Sequence, residues 1–118
     1  MPVHATAVGK LQLALAPEAV TFDWARPEAF TSATRTDGEA LRREVALAAE
    51  RGWALNMDEW IDGLSVLAAP VFHRGRLMAQ VALAAPTVRV RALGVESLTR
   101  RVCEVAQRIT SRLEGDAQ

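Results

Sequence analysis

An ordered run of turn and strand signals in the middle of the chain limits the folds available to it. Gly52 ends a helical pattern and is followed by an extended segment over residues 53–57. Residues 58–63 are acidic and typical of a turn, and residues 64–72 form an almost continuous apolar run that predicts a buried strand. Pro70 cannot donate a ladder hydrogen bond, so an edge or a bulge is expected there.

The first half of the chain is predicted to be helical. Helix-forming residues dominate positions 4–15 and predict a helix that Pro17 ends. Residues 17–20 predict one further helical turn. Asp37 is a suitable N-cap for a helix over residues 38–51, because its carboxylate can accept hydrogen bonds from free amides of the next turn.

The second half predicts a hairpin and a long helix. Residues 73–76 are typical of a hairpin turn and residues 77–84 of the returning strand, whereas residues 87–91 fit either an extended segment or a loop. The last helix is predicted over residues 95–113. Its apolar stripe comprises Leu98, Val102, Val105, Ile109 and Leu113. Together the elements predict an α+β fold, in which helices pack on one face of an antiparallel sheet.

Length, charge and cysteine content narrow the function classes. A chain of 118 residues predicts a single domain over residues 1–118. Fourteen basic and fourteen acidic residues give no net charge, which argues against direct nucleic-acid contact by this chain. The single cysteine excludes an intrachain disulfide and a multi-cysteine zinc site. The sequence contains neither a signal peptide nor an apolar run of membrane-spanning length, so we expect no membrane association and a cytoplasmic location.

Several short motifs follow one another in a fixed order along nearly the whole chain. They are Pro2-x-His4-Ala5-Thr6-Ala7-x-Gly9-Lys10, Phe30-Thr31-x-x-Thr34-x-Thr36-Asp37, Glu59-Trp60-x-x-Gly63-Leu64, Ala68-Ala69-Pro70-Val71 and Leu83-x-x-Pro86. In this order and spacing the chain resembles the effector-binding domain of IclR-type transcription regulators. The family's winged helix-turn-helix has no counterpart in the sequence, nor does the first part of the sensor domain, so we expect a partial effector-binding domain.

The resemblance implies a GAF/profilin-like sensor domain without cofactor, metal site or catalytic residues. Its effector would be a small organic acid or aromatic metabolite, and the protein would be a homo-oligomer. The implied ligand-binding residues are Ala7, Val8, Gly9, Asn56, Leu64 and Val66. Family members often carry an acid near Asn56 and a serine or cysteine near Val66, so a less polar ligand is expected here.

Elementary physics supports the same placement of a ligand. A helix N-terminus presents unpaired amides and a partial positive charge, which suits a carboxylate. Small side chains at Ala5 and Ala7, together with Gly9, leave room for ligand oxygens to reach backbone amides, while apolar strand residues would cover the ligand's carbon atoms.

Two other functions compete with a ligand sensor. In the first, the chain is an assembly module that pairs through its closing helix and an exposed sheet edge. In the second, it is a small hydrolase or isomerase that uses Glu59 or Asp58 near His4, although no nucleophile with a base and an orienting group is visible in the sequence. Cys103, on the final helix, is expected either to pack in the core or to lie on a partner surface, and His73 is expected to be solvated in the hairpin turn.

Overall fold

The computed structural model describes residues 2–116, which form four α-helices and three strands. In chain order the elements are α1 (Ala7–Leu15), a 3-10 turn (Pro17–Ala19), α2 (Gly38–Arg51), β1 (Ala54–Met57), β2 (Leu64–His73), β3 (Arg76–Pro86), α3 (Thr87–Leu93) and α4 (Val95–Asp116). The α+β class with an antiparallel sheet is confirmed. Within residues 2–116, no helix combines the length and apolarity that crossing a membrane requires.

The three strands form one sheet with β2 in the centre. β1 pairs with β2 from Met57–Ser65 to Ala54–Ala68, whereas β3 pairs along all of β2. The pairing with β3 contains one bulge, between Val71 and Phe72. The bulge lies next to Pro70, where the sequence predicts an irregularity.

The β2–β3 connection is a two-residue hairpin turn at Arg74 and Gly75. Both residues have positive φ angles, 53° and 77°. Turns of this kind match the twist of the strands that they join. The turn therefore sets the register of the first β3 residues, and the bulge between Val71 and Phe72 sets the register, and with it the face of each side chain, in the rest of the strand.

Helices cover both faces of the sheet, so the expectation that they lie on one face is wrong. On one face β2 packs against α4, in a cluster of Leu67, Ala69, Val71, Val102 and Ala106. On the other face the sheet packs against α1 and α2, in a cluster of Ala7, Leu11, Ala48, Ala54 and Ala68. Successive strand residues point to opposite faces. Because β2 is apolar at consecutive positions, both of its faces must be covered by helices.

The helix α2 begins and ends where the sequence predicts. Asp37 accepts a hydrogen bond from the amide of Glu39 at 3.0 Å, and Gly52 ends the helix with a φ of 82°. The buried side of α2 meets α1 in a third apolar cluster, formed by Leu13, Leu41 and Val45. α1 and α2 therefore form one layer on the sheet.

The C-terminal third differs from the sequence-based expectation in two ways. Residues 87–91 belong to the helix α3, rather than to an extended segment or a loop; its N-cap is Pro86 and no side-chain cap marks its start. In α4, Val105 and Ile109 are exposed, while Thr99 and Ala106 are buried. Leu98, Val102 and Leu113 of the predicted stripe do pack in the cluster on the sheet, together with Ala106.

Candidate ligand-binding site

The first turn of α1 carries two backbone amides without a partner among the described residues. Thr6 is the N-cap, and its Oγ1 accepts from the amide of Gly9 at 3.1 Å and donates to the carbonyl of Pro2 at 2.8 Å. Because Thr6 is extended, the helix begins at Ala7 rather than at residue 4. Within residues 2–116, the amides of Ala7 and Val8 donate to no acceptor. Unpaired amides at the N-terminus of a helix suit an anionic acceptor such as a carboxylate.

Gly9 is required by the packing of the N-terminal segment. A Cβ atom at this position would meet the carbonyl oxygen of Val3 and lie 2.6 Å from the Val3 Cα and 2.7 Å from Thr6 Oγ1. The amide of Gly9 is bonded to the Thr6 cap. The structure therefore places Gly9 against the chain's own backbone, and its contribution to the site is to let the segment before α1 pack closely.

Asn56 contributes a buried donor on the sheet face that α1 covers. Its side chain is fully buried, and its Oδ1 accepts from the backbone amide of Glu59 at 2.9 Å. Its Nδ2 has no acceptor among the described residues. An unsatisfied buried amide costs about 1–3 kcal/mol. A ligand that supplied an acceptor would remove this cost.

Strand register brings the predicted apolar residues beside Asn56. Val66 is directly opposite Asn56 and packs against the cluster that contains Ala7. Leu64 is two residues earlier on the same face of β2 and is half-buried. The structure thus brings Ala7, Asn56 and Val66 to one side of the sheet, with Leu64 at its margin.

The third strand adds residues that were not predicted from the sequence. Ala84 is opposite Val66, and Ala82 is opposite Ala68. Both alanines are exposed. On this face of the sheet, α1 covers Ala68, whereas Ala82 and Ala84 of β3 remain uncovered. The alternation of residues along residues 77–84 could have identified these positions, had the register with β2 been known.

Gln80 connects β3 to the start of α1. Its Nε2 donates to the carbonyl of Val8 at 3.0 Å, and its Oε1 is buried without a partner among the described residues. Gln80 is opposite Pro70, on the same sheet face as Val66. The first turn of α1 is thus fixed to β3 through the backbone of a predicted ligand-binding residue.

Lys10 is the centre of a buried ionic network beside the site. Its side chain is 1% exposed, and its Nζ lies 2.6 Å from Glu44 Oε1, 2.6 Å from Glu59 Oε1 and 3.1 Å from the carbonyl oxygen of Leu55. Arg35 binds the second oxygen of Glu44 at 2.6 Å. All three ammonium protons therefore have acceptors, as a buried lysine requires.

Burial and Lys10 act in opposite directions on Glu59. Burial raises the pKa of the Glu59 carboxyl, while the charge and hydrogen bond of Lys10 lower it; the net change is upward. The side chain is directed to Lys10, and its backbone carbonyl accepts from the hydroxyl of Thr34. These contacts describe a structural residue, not an exposed acid or base.

The acidic turn before β2 is held by hydrogen bonds within the chain. Asp58 has a φ of 62°, and its Oδ1 accepts from the amide of Gly63 at 2.9 Å and the hydroxyl of Thr87 at 2.6 Å. Thr87 also shares a hydrogen bond of 2.7 Å with Ser65. This arrangement ties the turn to the start of α3, which is a structural role.

The remaining candidates lie outside this site. His4 is buried, stacks on Phe22 at 5.3 Å and bonds the carbonyl of Glu28 at 2.7 Å, so it anchors the N-terminal segment. His73 is half-buried at the end of β2 rather than solvated in the turn. Burial raises the pKa of the Cys103 thiol, which disfavours the nucleophilic thiolate.

Comparisons with known proteins agree on one family. Residues 1–111 match the family model described as "Bacterial transcriptional regulator IclR C-terminal". The chain is 37% identical over 94 residues to the HTH-type transcriptional regulator XynR of Escherichia coli K12, which covers 76% of this chain and 37% of XynR. The chain spans less than half the length of the curated relatives it matches.

Solved structures show the same fold. The crystal structure of transcriptional regulator YaiJ superposes with a TM-score of 0.83 at 30% identity, covering 96% of this chain and 66% of that one. An IclR homologue from Microbacterium hydrocarbonoxydans, crystallised with 4-hydroxybenzoate, has a TM-score of 0.77 at 27% identity and covers 98% of this chain and 47% of that one.

Proposed function

Since the chain belongs to the IclR family of bacterial transcriptional regulators, we propose that it is the effector-sensing part of such a regulator. The relatives that it matches are transcriptional regulators, not enzymes. The proposed effector is a small monocarboxylate with an apolar body, bound without covalent chemistry on the sheet face beneath the start of α1. Binding would shift the population of subunit arrangements.

The observation that carries this proposal is the combination of unpaired donors on one face. The amides of Ala7 and Val8 lack acceptors among the described residues, and so does the fully buried Nδ2 of Asn56. Within residues 2–116, three unpaired N–H donors against one unpaired acceptor on this face, Gln80 Oε1, favour an anionic acceptor over a cation. Donors held in place before binding also reduce the entropy that a ligand must lose.

The apolar lining determines the rest of the ligand class. Val66 and the exposed Ala82 and Ala84 present only carbon atoms to the open part of the face. The homologue crystallised with 4-hydroxybenzoate supports an aromatic acid as the first ligand to test. In the proposed site, Gly9 lets the segment before α1 pack closely, and Leu64 lies at the margin of the ligand.

Calorimetric titration at pH 8 would test the proposal with 4-hydroxybenzoate, benzoate and the neutral analogue 4-hydroxybenzamide. The two carboxylates should bind and the amide should bind at least about tenfold more weakly, which corresponds to roughly 1.4 kcal/mol. Asn56→Asp keeps the acceptor for Glu59 but replaces the free donor with a negative oxygen, so carboxylate affinity should fall by a similar factor.

A pair of variants on one strand would locate the ligand. Ala84→Phe fills the open face opposite Val66, whereas Ala79→Phe places the same ring at another exposed position of β3. We expect only Ala84→Phe to abolish binding. If none of the three compounds binds, or if both variants behave alike, the proposed site is wrong.

Assembly is the second function that a specific observation favours. Val105 and Ile109 are 46% and 39% exposed on α4, and β3 is an edge strand within the described sheet. We therefore propose that the domain is homo-oligomeric. We further propose, from the family resemblance, that it is GAF-like and acts in the cytoplasm, and, from its lack of net charge, that it does not itself contact DNA. Sedimentation of the wild type and of Val105→Arg would show whether α4 contributes to an oligomer.

A further inference from the structure

Lys10 is the only lysine in the chain and one of its most buried side chains. Its three acceptors belong to three different parts of the fold: Glu44 in α2, Leu55 in β1 and Glu59 in the turn before β2. A buried ammonium whose protons are all bonded has one orientation, because each alternative leaves a charge or a donor unsatisfied. Lys10 therefore fixes α1 relative to all three parts.

This attachment extends to the donor side chain of the ligand site. The carboxylate of Glu59 binds Lys10, and the backbone amide of Glu59 donates to Asn56 Oδ1 at 2.9 Å. The Oδ1 is thereby occupied, and Nδ2 remains as the free end of the Asn56 amide. The amides at the start of α1 lie two and three residues before Lys10. One ammonium thus holds both sets of proposed ligand donors.

The network also leads away from the site. Glu44 accepts from Lys10 with one oxygen and from Arg35 with the other, both at 2.6 Å. Two cations and two carboxylates balance in charge across Lys10, Glu59, Glu44 and Arg35. A displacement of Lys10 would therefore change the ion pairs of Glu44 in α2 and of Arg35 in the exposed segment before α2.

On the basis of the proposed ligand site, we propose that Lys10 is a positioning residue. Its ammonium sets the separation between the α1 amides and Asn56, and it transmits ligand occupancy to α2 through Glu44. Neither the amine nor Glu59 contacts the ligand. Substitution of Lys10 should therefore change the orientation of Asn56 even when no ligand is present.

The chain offers an unusually direct readout, because it contains a single asparagine and a single lysine. The side-chain N–H signals of Asn56 and the ammonium signal of Lys10 in nitrogen-15 NMR spectra are each unique. In Lys10→Met we expect the Asn56 pair to move toward the shifts of a mobile amide and affinity for 4-hydroxybenzoate to fall about tenfold. In the wild type, 4-hydroxybenzoate should shift the Lys10 signal.

Control variants separate positioning from general loss of stability. Lys10→Met/Glu59→Gln removes both charges and serves if Lys10→Met does not fold; it should still show a mobile Asn56. Glu39→Gln/Arg43→Met removes an exposed ion pair of α2 with a 3.4 Å separation and should change neither readout. Unchanged Asn56 signals in a folded variant without Lys10 would overturn the inference. A wild type that binds no probe would overturn the proposed function instead, while the Asn56 signals would still decide the role of Lys10.

Discussion

Replacement of Gly9 by alanine tests how the N-terminal segment packs beneath the proposed site. Two effects oppose each other. Alanine in place of glycine inside a helix is favourable by up to about 1 kcal/mol. The added Cβ, however, would meet the carbonyl oxygen of Val3 and lie 2.6 Å from its Cα, whereas carbon atoms prefer about 3.5–4.0 Å. The backbone of Val3 must then move by roughly 1 Å.

The steric effect should exceed the helix-propensity effect. Overpacking of a well-packed interior costs about 1–3 kcal/mol. The same Cβ would lie 2.7 Å from Thr6 Oγ1, and loss of an N-cap costs about 1 kcal/mol more. The net loss is therefore about 1–3 kcal/mol, which for a chain of this length lowers Tm by roughly 4–12 °C.

Thermal unfolding followed by circular dichroism would measure this effect. Gly115→Ala is the matched control, since Gly115 lies in α4 and a Cβ there meets nothing within 4 Å. That variant should be as stable as the wild type or slightly more stable. If Gly9→Ala unfolds at the wild-type temperature or above it, the close approach of Val3 is wrong, and so is the packing of the segment before α1.

Three further predictions concern the core, a helix cap and the ionic network. Leu41→Ala should lose about 2–5 kcal/mol in urea unfolding, because its side chain is fully buried, while Leu47→Ala on the exposed side of the same helix should lose under about 0.5 kcal/mol. Asp37→Ala should lose about 1 kcal/mol in the same assay, since its carboxylate caps α2. Burial raises the pKa of Glu59, so the folded state keeps a proton that the unfolded state releases. The free energy of unfolding of the wild type minus that of Glu59→Gln should therefore decrease as pH rises from about 4.5 through the folded pKa; a rising difference would contradict this.

Local signals predicted several elements correctly. The helix α2 was predicted over its full length because Asp37 and Gly52 act on neighbouring backbone groups. The hairpin at residues 73–76 was predicted because Gly75 readily adopts positive φ. Such features depend on a few consecutive residues, so they can be identified without knowledge of the tertiary structure.

Features that depend on contacts between residues far apart in the sequence were harder to predict from the sequence. The apolar run over residues 64–72 indicates that both faces of β2 are covered, but it does not show that α4 docks on one face and α1 on the other. The helix α3 lacks a side-chain cap, so its start carries no local signal.

The candidate site shows the same division. Asn56 and Val66 were predicted together, and their cross-strand pairing is a property of the register. The contribution of β3 and the partners of Lys10 were not predicted, because Gln80 and Glu59 are far from α1 in sequence. Lys10, the one charged residue of the largely apolar helix α1, was the signal that could have indicated a buried ion pair.

The most direct test of the sensor function is a titration of the labelled chain with 4-hydroxybenzoate, followed through backbone and side-chain amide signals. We predict the largest shifts at Ala7, Val8 and the Asn56 side chain. Little change is expected at Phe72, whose amide donates a hydrogen bond to the Thr110 hydroxyl of α4. Shifts confined to the α4 face, or an absence of shifts at millimolar ligand, would contradict the account.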